Sequence, residues 1–64
     1  MKNFVPFAQA KKDKNGREIY LQTMKLNNEW VVQIFENNKF IGVDKAFGRL
    51  VDAEKYIISE LEKV

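Results

Sequence analysis

The chain has 64 residues, 45% of them hydrophobic and 31% charged, with a formal net charge of +2 and neither cysteine nor histidine. Those absences remove disulfides, thiolate metal sites and the histidine-based triads and switches on which much enzyme chemistry depends. A chain this short buries only about 60% of the surface its unfolded form exposes, so its stability has to come from packing or self-association.

Residues 1–8 read as an extended arm or edge strand, with the single proline, Pro6, where a missing N–H is tolerated. The stretch 4–10 is a weak strand. Lys11-Lys12-Asp13-Lys14-Asn15-Gly16 reads as a turn, because Asn-Gly supplies the positive φ angles of a tight hairpin. Residues 17–26 are rich in strand formers, and Asn27-Asn28 turns the chain. Residues 29–36 (Glu-Trp-Val-Val-Gln-Ile-Phe-Glu) are the strongest strand. Asn37-Asn38 turns it again, and 39–43 form a short last strand. The rest recurs at three- and four-residue spacing through Val43, Ala46, Phe47, Leu50, Val51, Ile57, Ile58, Leu61 and Val64. Asp44 could cap a long helix from Lys45, but Gly48 argues for a loop and a shorter helix from about Leu50 to Lys63, since an interior glycine costs about 1 kcal/mol. On that helix Leu50, Ala53, Ile57, Leu61 and Val64 share the stripe that should meet the sheet. The expected fold is α+β in one domain, 1–64: an antiparallel meander of three strands, or four with 4–10, and one C-terminal helix on one face.

Period-two alternation sets Trp30, Val32 and Ile34 against Val31, Gln33 and Phe35, and Ile19 and Leu21 against Tyr20, Met24 and Leu26. Both sets are largely apolar, and one helix covers one face. The other face needs the N-terminal arm (Phe4, Val5, Phe7), a second copy or a partner. Tyr20, Met24, Val31, Gln33 and Phe35 are therefore the candidate protein interface.

The early segment concentrates positive charge in Lys11, Lys12, Lys14 and Arg17, which are candidate nucleic-acid contacts, with Asn15 and Gln22 as polar readers. A solvated turn is the plainer account of those lysines, since a net charge of +2 falls short of a strongly basic footprint. Tyr20, Trp30, Phe35 and Phe40 could stack on bases, but a domain this small is expected to need its aromatics inside. Asp44, Asp52, Glu54, Glu60 and Glu62 read as a solvated helix face and not as an acid/base pair or metal site. No catalytic residue, cofactor, metal or small-molecule substrate is expected. The apolar runs fall short of the ~20 residues of a membrane span, and the N-terminus has no signal-peptide core, so the expected address is cytoplasmic with no membrane partner.

From Trp30 to Leu61, with Phe47, then Gly48-Arg49-Leu50-Val51-Asp52, then Ala53, the chain resembles small sheet-plus-helix modules that include the N-terminal arm-type DNA-binding domains of phage and transposon integrases. The resemblance implies three strands followed by a helix and, in that family, contact with DNA. The later strands here lack that family's run of basic residues. The function expected from the residues is a non-catalytic interaction module: a regulator, inhibitor or accessory factor, of a size that suits a phage or mobile-element product. It would act through protein–protein contact on the sheet face, with another protein or as a homodimer. Nucleic-acid binding through the basic hairpin and the sheet is the second choice.

Overall fold

The structure is a computed structural model and describes residues 7–64. Four strands, β1 (Ala8–Lys12), β2 (Glu18–Leu26), β3 (Glu29–Glu36) and β4 (Lys39–Phe47), pair in chain order as one antiparallel sheet. A single helix, α1 (Leu50–Glu62), follows and contacts all four strands. The fold is α+β, with the four-stranded meander.

The turns follow from residue chemistry. Asn27 and Asn28 take φ of 51° and 66°, and Asn37 and Asn38 take 49° and 68°. Two successive left-handed residues make the tight hairpin turn whose twist matches the flanking strands, and asparagine tolerates that region better than most side chains. The first hairpin differs. Only Gly16 (φ 83°) has positive φ there, Gly16 N–H donates to the Asp13 carbonyl, and Asp13 N–H donates to the Arg17 carbonyl. Lys11 and Lys12 are therefore strand residues of β1, where the sequence predicts a turn. The arm residues Phe4 and Val5 lie outside the described residues.

β4 runs to Phe47, well past the predicted end at Val43, and carries two irregularities. Gln33 faces Val43 while Val32 faces Lys45, and Ile34 faces Gly42 while Phe35 faces Phe40. Asp44 and Ile41 are the extra residues. Asp44 does not cap the helix; it accepts the Tyr56 hydroxyl at 2.8 Å. The helix begins at Leu50, next to Arg49, which has extended backbone and makes no side-chain cap.

The core lies between α1 and one sheet face. Ile19, Leu21, Val32, Ala53, Ile57 and Leu61 are buried, and Phe7, Trp30, Ile34, Phe47 and Tyr56 pack around them. Ala53, with no side chain beyond Cβ, lets the helix approach closely. Val64, expected on the same stripe, is exposed, because the helix ends at Glu62. The buried Thr23 hydroxyl donates to the Phe7 carbonyl, which also accepts Thr23 N–H, so the polar group is satisfied and Phe7 is fixed at the core. Phe7 thus closes the helix side and not the opposite face. The Lys11 ammonium donates to the Leu61 carbonyl at 3.1 Å, putting a cation at the negative end of the helix and tying that end to β1.

Candidate interface on the open sheet face

Directly opposed residues of an antiparallel pair point to the same side, so the register assigns each side chain to a face. Leu21 faces Ile34 and Thr23 faces Val32 on the helix side. The opposite side is built from rows that cross the strands. One row runs Ala10, Tyr20, Phe35, Phe40. The next runs Ala8, Gln22, Gln33, Val43, and the third Met24, Val31, Ala46. At the strand ends lie Lys12 with Glu18, and Leu26 with Glu29.

The first row is a continuous aromatic ladder. The Tyr20 and Phe35 rings meet edge to face with centroids 5.6 Å apart, and Phe35 and Phe40 are 5.3 Å apart and tilted. Such pairs add to the area term and rigidify the surface. In the second row Gln22 Nε2 donates to Gln33 Oε1 at 2.7 Å, so the central polar groups hold each other in place. The candidate interface residues Tyr20, Met24, Val31, Gln33 and Phe35 therefore share one face and are each half-buried by their neighbours. Phe40 and Val43 continue the patch to the edge and are 52% and 57% exposed.

These aromatics depart from expectation. Trp30 packs at the core, but Tyr20, Phe35 and Phe40 lie outside it. Ile, Leu, Val and Ala, with Thr23, fill the buried centre beneath the helix, and the rings of Phe7, Trp30, Phe47 and Tyr56 pack around it. Sequence reasoning missed Phe40, Val43, Ala8, Ala10 and Ala46 as members of the patch. The signal was present in the Phe40–Val43–Ala46 spacing of three, which is the mark of a bulge inserting one residue at each step.

No significant match to a protein-family model, a curated protein or a solved structure was found.

The basic segment is dispersed. Lys11 points to the helix side and bonds Leu61. Arg17 Nε meets Asp13 Oδ2 at 2.9 Å, and Arg17 Nη1 lies 3.7 Å from Glu36 Oε1. The Arg17 backbone N–H foremost, with its guanidinium and the Asn15 N–H, holds the Asp13 carboxyl below its ordinary value. Lys12 and Lys14 remain exposed without an ion pair among the described residues. Asn15 is at the hairpin tip, while Gln22 is bonded within the open face.

The other strand lysines are also on the helix side. Lys25 faces Trp30 and lies 5.4 Å from its ring centre, Lys39 faces Glu36, and Lys45 lies over Phe47 and Tyr56. Among the described residues, Lys12 is the one strand cation on the open face. The carboxylates do not converge: among the described residues no group of three or more is placed to hold a metal ion. Among them, too, no helix is long and apolar enough to cross a membrane. Tyr56 has its hydroxyl pushed up to about 12, first by burial and then by the bond to Asp44.

Proposed function

We propose that this chain is a small non-catalytic interaction module that binds protein through its open sheet face. The observation that carries this reading is the Tyr20–Phe35–Phe40 ladder, with Val43 in the next row and Met24 and Val31 beyond the Gln22–Gln33 pair, on a face that neither α1 nor Phe7 covers. Large apolar side chains gathered on one uncovered face are the usual mark of a contact site. The charge arrangement supports protein over nucleic acid. A strand surface that grips phosphates needs several cations aimed outward, and this face has Lys12 at its end, beside Glu18. A regulator, inhibitor or accessory factor is the class of role such a module fills, and the absence of cysteine suits work in the cytoplasm.

A photoreactive phenylalanine analogue at Phe40, compared with the same group at Val51 on the helix, tests the reading. The two positions are similarly exposed, at 52% and 43%, so chance collisions label both alike. In cell extract the reading predicts adducts to polypeptide from position 40 and few from position 51. Equal yields from both, or adducts to nucleic acid alone, overturn it.

A further inference from the structure

We infer that the open face takes a second copy of this chain, seated face to face about a two-fold axis parallel to the strands, with β1 of each copy over β4 of the other. The inference rests on the reading of that face as a protein-binding surface and names its occupant.

Three features of the face are self-complementary. The first is its taper. On the β1 edge the rows end in Ala8 and Ala10, and on the β4 edge they end in Val43 and Phe40. A two-fold axis along the strands keeps each row in register and exchanges the edges. Phe40 then lies over the partner copy's Ala10, and Val43 over its Ala8, so large side chains meet small ones on both sides. An axis across the strands would instead set the thick edge of one copy on the thick edge of the other and leave the alanine edges apart.

The second feature is the centre. Gln22 of one copy lies over Gln33 of the other, and each amide carries donors and an acceptor. The bonded pair uses one donor and one acceptor, which leaves groups able to bond the identical pair opposite. A buried pair of this kind is satisfied by its own symmetry mate without any charge. The third is electrostatic. Among the described residues, the rows of Tyr20, Gln22 and Met24 hold no ionised side chain, so the centres of two identical faces meet without like-charge repulsion. A partner chosen by charge would find nothing there to select it.

The area is adequate. Each position on a sheet face occupies about 4.8 Å across the strands by about 6.8 Å along them, so the three uncharged rows present about 360 Å² per copy in projection, and the end rows with Lys12, Glu18, Leu26 and Glu29 bring this to about 500 Å². Two copies bury about 1,000 Å² before side-chain relief is counted, at the threshold for a specific interface. Packed sheets at about 10 Å with mean strand directions within about 30° are an ordinary arrangement.

Within one copy Ala10 and Phe40 lie on opposite edge strands, about 14 Å apart by strand spacing, and do not touch. Any energetic coupling between them must therefore pass between copies, which makes a double-mutant cycle decisive. Both sites are exposed, so neither Ala10→Phe nor Phe40→Ala threatens the fold, and circular dichroism checks this. Sedimentation equilibrium of the full chain reads the dimer constant. Each single variant is expected to weaken the dimer about tenfold, one by a void and one by a clash. The double variant, with the sizes exchanged, is expected to return to within about threefold of the original. A dimer whose two losses simply multiply overturns this seating. A chain that stays monomeric to millimolar concentration while position 40 still labels other polypeptides overturns the second copy and leaves the protein-binding reading intact. A monomer with no adducts overturns both.

Discussion

Val31 and Val32 are neighbours in β3 and face opposite sides, so the same substitution at each should have opposite consequences. Val32 is fully buried against the helix, opposite Thr23. A chain of this length holds about 3–10 kcal/mol of stability. Truncating Val32 to alanine removes about 1.6 kcal/mol of transfer energy. The cavity left behind raises the loss to about 2–3 kcal/mol. Val32→Glu places an unpaired carboxylate there, which exceeds the whole margin and unfolds the chain. Val31 is half-buried on the open face, where a carboxylate reaches water. Val31→Glu should cost the isolated copy about 1 kcal/mol, mainly through strand preference. In an occupied interface the same carboxylate is buried without a partner, a loss of about 2–5 kcal/mol. That is about thirtyfold to several thousandfold in affinity. Urea titration followed by circular dichroism gives the stabilities, and sedimentation gives the association. If Val31→Glu unfolds the chain as Val32→Glu does, the supposed open face is core, and the reasoning fails.

Three further outcomes test the fold around the site. Asn37→Ala loses the 3.0 Å acceptor for Glu18 N–H and forces alanine to φ near 49°, so the urea midpoint should fall by the equivalent of about 1–3 kcal/mol, whereas Asn38→Gly should be nearly neutral. Lys11→Met keeps the side-chain stem but removes the donor to Leu61; stability should drop by about 0.5–1.5 kcal/mol, with faster amide exchange in the last turn of α1 and not in β3. The Tyr56 hydroxyl, raised from 10.0 to about 12, favours the fold while it is protonated. Its contribution is complete below pH 10 and is lost as pH rises through about 12. Asp44→Asn should lower its midpoint in an ultraviolet titration, and an unchanged midpoint would leave burial as the whole cause.

The elements that the sequence makes legible are those governed by local chemistry. Strand formers between the Asn15-Gly16, Asn27-Asn28 and Asn37-Asn38 turns mark β2 and β3, and alternation assigns Tyr20, Met24, Val31 and Phe35 to one face. Gly48 marks the start of α1. β4 is harder to read because its bulges at Ile41 and Asp44 convert a period of two into steps of three, and Val43, Ala46 and Phe47 then mimic a helix. The basic segment misleads for a different reason. Lys11, Lys12, Lys14 and Arg17 are adjacent in sequence, but strand geometry sends Lys11 to the helix end and Lys12 to the open face, and Arg17 turns to Asp13 and Glu36. Which aromatics enter the core is likewise a property of the assembled layers. The helix side takes the aliphatic side chains with Phe7, Trp30, Phe47 and Tyr56 around them, and the ladder is left outside.

The most direct test is to map chemical shifts across the chain, first on dilution from millimolar to micromolar and then on addition of a mixed-sequence DNA duplex at moderate salt. Face-to-face pairing predicts that dilution moves Ala10, Tyr20, Gln22, Val31, Gln33, Phe35 and Phe40 together and leaves Lys55 and Ile58 on the helix unchanged, and that duplex moves none of them. Shifts at Lys12 and Lys14 that spread over the open face on adding duplex, with no response to dilution, would contradict it.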